Sequence, residues 1–159
     1  MTADCLIGLV SDTHGLTRPG LREALAGVSM ILHAGDVGGA RVLQVLREIA
    51  PVQAVYGNVD DPDDPSLTAS LDLTLCGRTI HVSHGHELGS PTPERLLRAY
   101  ASDIIVFGHT HRAVVERSGS RLVINPGAAG PRRFNLVPSV ALLRLDGGEP
   151  QVSICALTE

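Results

Sequence analysis

Tryptophan is absent from the 159 residues and only 3% are aromatic, so Val, Ile, Leu and Ala must fill the core and little ring surface is left for stacking on bases. Blocks of basic residues are missing too. The net charge of -4 excludes the electrostatic footprint of a general nucleic-acid binder. No apolar run approaches the length that spans a bilayer, and Met1-Thr2-Ala3-Asp4 carries an acid where a signal peptide carries base. A cytoplasmic protein with no membrane partner is expected. Cys5, Cys76 and Cys155 are widely separated with no Cys-x-x-Cys, and in a reducing cytosol free, mostly buried thiols are expected. What the chain has in quantity is hydrophobic residues, 43% of the total, enough for a single domain over residues 1–159 with a sizeable core.

Apolar runs and breakers alternate along that domain. Residues 6–10 form a short run too brief for a helix and rich in branched side chains, which predicts a strand. It stops at Ser11-Asp12-Thr13-His14-Gly15. A helix is expected from Thr17 through Ala26, stopped by Gly27, and a second strand over 29–34 runs into Gly35-Asp36. A second helix over 40–49 carries Val42, Leu43, Val45, Leu46 and Ile49 as its apolar stripe and is ended by Pro51. A third strand over 52–56 leads into Gly57-Asn58-Val59-Asp60. Strand, helix, strand, helix, strand implies a parallel sheet with right-handed crossovers, whose polar C-terminal strand ends are where such sheets place ligands.

Beyond the acidic loop 61–65 the pattern changes. A hairpin over 71–75 and 79–83 ends in His84-Gly85-His86-Glu87, and Thr92-Pro93-Glu94 starts a helix through Tyr100. A strand over 103–107 runs into Gly108-His109-Thr110-His111. Strands near 113–116 and 122–124, then 140–145 and 152–156, are read as a second antiparallel group.

Five strand ends therefore present Asp12 and His14, Asp36, Asn58, His84, and His109 with His111. If extended, Asp12 and His14 would point to the same side and converge on one cation. Singly, each is as ordinary as a turn or a solvated strand end. Together, Asp-x-His, Gly-Asp, Gly-Asn, His-Gly and Gly-His-x-His in this order resemble the calcineurin-like metallophosphoesterase superfamily, and the chain's size and its Gly-Asn-Val-Asp variant resemble its small bacterial and archaeal phosphodiesterases.

The resemblance implies an α/β fold, a four-layer α/β/β/α metallophosphoesterase sandwich with two mixed sheets, with the strands beyond His111 in the second sheet. It also implies two metals, one held by Asp12, His14, Asp36 and His111, the other by Asp36, Asn58, His84 and His109, with Asp36 bridging. Mixed imidazole, carboxylate and amide ligation suits divalent transition metals, with Mn the first choice and Fe, Zn, Co or Ni as alternatives. Two cations roughly 3.5 to 4 Å apart clamp a phosphoryl group and turn a shared water into hydroxide near neutral pH. The expected activity is thus a metal-dependent phosphoric ester hydrolase, a phosphodiesterase of small or nucleotide-like substrates, with Asp36, Asn58 and His86 as its catalytic residues. The alternatives are a non-catalytic interaction scaffold of the same fold, as in a retromer subunit, and a phosphomonoesterase.

One departure from the family matters. Many relatives carry His after Gly-Asn, resembling a general acid, whereas this chain has Val59, which has no proton to give. His86 is the replacement acid to test against a structural role; general-acid help is worth on the order of 10² to 10⁴ in rate. Arg18, Arg112, Arg132 and Arg133 are available to hold phosphate. Asp60 is a second carboxylate near the ligands, suited to orienting them or to stabilising the turn. His33 and His81 fall inside strands and read as core. The segment 134–137 leaves room for a homodimer.

Overall fold

A computed structural model of the chain describes residues 5–157. The acidic tetrapeptide Met1-Thr2-Ala3-Asp4, read above against a signal peptide, lies outside the described residues. Two five-stranded sheets stack face to face. The first has the order β10-β9-β1-β2-β3, from β1 (Cys5–Val10), β2 (Met30–His33), β3 (Val52–Ala54), β9 (Ser139–Leu145) and β10 (Gln151–Ala156). The second has the order β4-β5-β6-β8-β7, from β4 (Ser70–Leu75), β5 (Arg78–Ser83), β6 (Ile104–Val106), β7 (Val114–Ser118) and β8 (Arg121–Asn125).

Strand alternation builds the layers. Ile7 and Leu9 of β1 and Leu32 of β2 point between the sheets, where they meet Ile80, Val82, Ile104, Val106 and Ile124. The opposite face of the first sheet, with Val10 and Ile31, packs on Leu21 and Leu25 and on α2 (Ala40–Arg47) through Val42, Leu43 and Leu46. The outer face of the second sheet, with Ile105, Phe107 and Val123, packs on Leu96 of α3 (Pro93–Ala99). Helix, sheet, sheet, helix is the expected four-layer order, and it leaves both sheets buried over most of two faces.

Three local expectations are corrected. The helix expected from Thr17 is a single turn, α1 (Leu21–Ala24), because Pro19-Gly20 and Gly27 leave room for no more. The strands at 140–145 and 152–156 do not join the second sheet: β9 pairs antiparallel with β1, Cys5 opposite Leu145 and Leu9 opposite Ala141, and β10 pairs with β9. Only β7 and β8 extend the second sheet, β8 beside β6 in parallel. Lastly, Cys5 and Cys76 are not free thiols. They are joined as a disulfide with Cα atoms 6.4 Å apart, linking β1 to the β4–β5 turn; Cys155 is free. No helix among the described residues is long and apolar enough to cross a membrane.

Candidate metal centre

The C-terminal ends of β1, β2 and β3 and of β5 and β6 meet at one edge of the sandwich, and each delivers polar side chains immediately after an apolar strand. All seven expected ligands lie in these loops. Their backbone is not extended, which corrects the period-two argument for Asp12 and His14. Asp12 (φ 54°), His14 (φ 46°), Asp36 (φ 54°), His109 (φ 72°) and His111 (φ 63°) all adopt the left-handed conformation. Side chains other than glycine rarely do so, and each instance costs on the order of 1–3 kcal/mol. Five such residues at one site point to a constraint from function.

Their polar atoms converge. Asp12 Oδ1 lies 3.3 Å from His111 Nε2, 3.8 Å from His14 Nε2 and 3.8 Å from His84 Nε2. Asp36 Oδ2 lies 3.2 Å from His84 Nε2 and 3.6 Å from His14 Nε2. Asn58 Oδ1 lies 3.1 Å from His84 Nε2 and 3.2 Å from His109 Nδ1. Ligands bonded at about 2.0–2.2 Å to one cation sit roughly 3 Å apart, so these spacings suit shared cations. Among the described residues, two groups are compact enough to hold an ion each: Asp12, His14 and His111, and Asp12, Asp36 and His84. Asp12 is common to both, whereas Asp36, the expected bridge, falls in only one of them.

Hydrogen bonding supports the same reading. Asp12 is fully buried, yet its Oδ1 makes no hydrogen bond, and neither does His14 Nε2; a buried carboxylate oxygen without a donor is costly unless a cation is its partner. The other oxygen, Oδ2, accepts from Ser11 Oγ at 2.6 Å and from the His109 N–H at 3.1 Å. His84 donates Nδ1–H to the Ala34 carbonyl at 2.8 Å, which turns Nε2 into the cluster.

The charges follow. Burial alone would raise the Asp12 pKa, but His111, His14, His84 and Ser11 outweigh it and hold the carboxyl well below the usual range. Asp36 is also lowered: burial opposes ionisation, while the His84 contact and the Val59 N–H favour it. Burial would lower His84, and the Asp36 and Asp12 carboxylates overcome it and raise its pKa. His109 is lowered by burial and by the neighbouring His84 charge.

Several residues fix the loops without pointing into the cluster. The Asp60 carboxylate accepts the N–H groups of Val37 (3.0 Å), Gly38 (3.0 Å) and Gly57 (2.9 Å), tying the Asp36 loop to the Asn58 loop. Asn125, which the sequence reading passed over, donates to the Gly108 carbonyl and to Thr110 Oγ1, bracing the loop of His109 and His111. Its signal was the Asn-Pro-Gly turn at a strand end. Gly57 and Gly108 are there for space: a Cβ on Gly57 would run into Asp36, and one on Gly108 into Ser11 and Asp12.

His86 stands beside the cluster, its ring 5.3 Å from that of His84 and 6.4 Å from that of His109, with Nδ1 making no hydrogen bond. Val59 is 56% exposed. The arginines are placed differently. Arg18 Nε donates to the Gly130 carbonyl at 2.9 Å, and Gly130 N–H in turn donates to the Asp12 carbonyl, so this side chain braces the Asp12 loop. Arg112, Arg132 and Arg133 are exposed.

Similarity to known proteins agrees with this geometry. The family model for the calcineurin-like phosphoesterase superfamily domain matches residues 5–148. A protein named Probable metallophosphoesterase, from Methanothermobacter thermautotrophicus, is 31% identical over 150 residues, covering 89% of this chain and 87% of its own. Phosphodiesterase YfcE of Escherichia coli K12 is 36% identical over 143 residues, covering 74% and 76%. Among solved structures, Vacuolar Protein Sorting 29 from Cryptosporidium parvum has a TM-score of 0.80 at 23% identity, over 98% of this chain and 99% of that one, which is a likeness of fold.

Proposed function

The chain belongs to the calcineurin-like phosphoesterase superfamily, and on that premise we propose that it is a phosphodiesterase working with two divalent cations, Mn first. Asp12, His14, Asp36 and His111 would hold one, and Asp36, Asn58, His84 and His109 the other. The observation that carries this reading is the buried, donor-free Asp12 Oδ1 ringed by three imidazoles. Bound there, such cations supply Lewis acidity, neutralising phosphate oxygens and acidifying water.

The chain's own residues do the rest. Asn58 presents its amide to both the cluster and a phosphate oxygen. His86, beside the rings of His84 and His109, gives its proton to the leaving oxygen, the role that Val59 has no proton to fill. Diesters with acidic leaving groups depend on that proton least, so they are the better substrates. Arg112, Arg132 and Arg133 hold the distal phosphate oxygens.

Calorimetric titration of the metal-free chain with Mn, alongside turnover of bis(4-nitrophenyl) phosphate, tests the proposal. Two Mn per chain and activity lost in Asp36→Asn are expected. A wild-type chain as inert as Asp36→Asn across Mn, Co, Ni and Zn sinks the hydrolase and leaves the scaffold reading suggested by the Vacuolar Protein Sorting 29 fold. Faster turnover of 4-nitrophenyl phosphate than of the diester makes it a monoesterase. We propose a cytoplasmic location, to be checked by cell fractionation. A homodimer would form through exposed Phe134, Val137 and Ile154, and sedimentation velocity would detect it.

A further inference from the structure

The chain has two tyrosines, and both line one cavity of about 180 Å³ beside the metal centre, with Ser70, Ser83, His86 and Glu87. His86 is the wall shared by the cavity and the cluster, its ring 6.5 Å from that of Tyr56 and 5.3 Å from that of His84. The far wall is built by contacts that no metal ligand requires. Tyr100 stacks on His81 with ring centroids 3.7 Å apart, and His81 is anchored by Asp72 at 2.8 Å. Tyr100 O–H donates to Glu87 Oε2 at 2.8 Å, and the Gly85 N–H donates to Glu87 Oε1 at 2.8 Å. No arginine lines the cavity, and the chain contains no lysine.

We infer that this cavity is the leaving-group subsite of the proposed phosphodiesterase and takes an uncharged, planar heteroaromatic group of nucleoside type. Its size suits one base ring. Tyrosine faces give such a ring stacking surface. The Glu87 carboxylate accepts ring or amino N–H groups and, with no arginine or lysine in the lining to offset it, repels a leaving group that carries further phosphate. The inference rests on the phosphodiesterase reading, since a leaving group presupposes cleavage at the adjoining cluster. It also gives the chain's two tyrosines a location that composition alone could not.

Full-length chain labelled with 3-fluorotyrosine has two ¹⁹F resonances, both reporting on this cavity. Titration with adenosine, without added metal, should shift both saturably, while ribose shifts neither. In Glu87→Gln, the preference for adenosine over adenosine 5′-monophosphate should fall about tenfold, the scale of one nearby charge in a partly screened site. With Mn present, Tyr56→Leu should raise KM for a 4-nitrophenyl diester about tenfold and leave kcat within about twofold. Tyr100→Phe, which keeps the ring, serves if Tyr56→Leu fails to fold, and should loosen adenosine by weakening the Glu87 wall. Resonances that stay still, or move equally with ribose, overturn the subsite. If the chain nonetheless hydrolyses the diester, the phosphodiesterase reading survives alone; shifted resonances in a chain that hydrolyses nothing show the reverse.

Discussion

His33 Nε2 lies 3.0 Å from Thr13 Oγ1, and this fully buried contact joins the loop of Asp12 to the loop of Asp36. Thr13 Oγ1 donates onward to the Val37 carbonyl at 2.7 Å, and the Gly35 N–H donates to His33 Nδ1 at 3.1 Å. The imidazole is therefore neutral, with its proton on Nε2, and both nitrogens are used. A side chain that reads as plain core pins two halves of the candidate metal centre.

Replacing His33 with Gln should cost about 1–3 kcal/mol, because a buried donor or acceptor is left unmatched. Metal affinity should fall roughly 10- to 100-fold, as for other groups that orient ligands. Chemical denaturation and Mn calorimetry check the two parts; unchanged Mn affinity in a folded variant would remove His33 from any role at the centre.

The same residue sets an acid limit. Burial, only partly offset by Asp12 and Asp60, pushes its pKa down to about 4 from 6.5. As pH falls from 6.5 to 4 the unfolded chain takes up a proton that the native chain refuses. His33's contribution is thus complete above pH 6.5 and is lost through that window, by about 3 kcal/mol at 1.36 kcal/mol per pH unit. Stability-versus-pH curves of metal-free wild type and His33→Gln should differ in slope between pH 6.5 and 4; parallel curves contradict the assignment.

Space beside the carboxylates is a second requirement. Gly57→Ala and Gly108→Ala place a methyl group against Asp36 and against Ser11 and Asp12. Both should weaken Mn binding by roughly 100-fold or more, since ligand geometry tolerates little displacement. Gly77, with open space around it but φ 80°, is the comparison: alanine there costs about 1 kcal/mol of backbone strain and no metal.

The Cys5–Cys76 bond closes a sequence separation of 71 residues between the two sheets. The chain-entropy estimate for such a loop is about 4 kcal/mol. Cys5→Ser, or dithiothreitol, should lower the thermal midpoint of the metal-free protein accordingly, while Cys155→Ser should not.

The seven candidate ligands could be picked from the sequence because each follows an apolar strand, and the resemblance of their spaced series to the family suggested the role. The four layers were implied by the family resemblance. What could not be read has physical reasons. An apolar run such as 140–145 announces a buried strand but not which sheet it joins. The left-handed backbone at Asp12 and His14 could not be read from residue type, since Asp and His adopt it more often than most side chains but still only rarely. Cys5 and Cys76 meet only because two sheets stack, and Thr13, His33 and Asn125 look ordinary until their hydrogen-bond partners from distant segments are in place.

The insertion of β9 between β1 and β10 has a kinetic side. Cys5 pairs with Leu145, 140 positions later, so β1, which bears the first ligand loop, has no second neighbour until almost the whole chain has been synthesised. Contacts that distant raise the contact order and slow the search for the native state. On the ribosome the first three strands would wait with the outer edge of β1 unpaired, and the candidate metal-binding loops would be among the last parts to set.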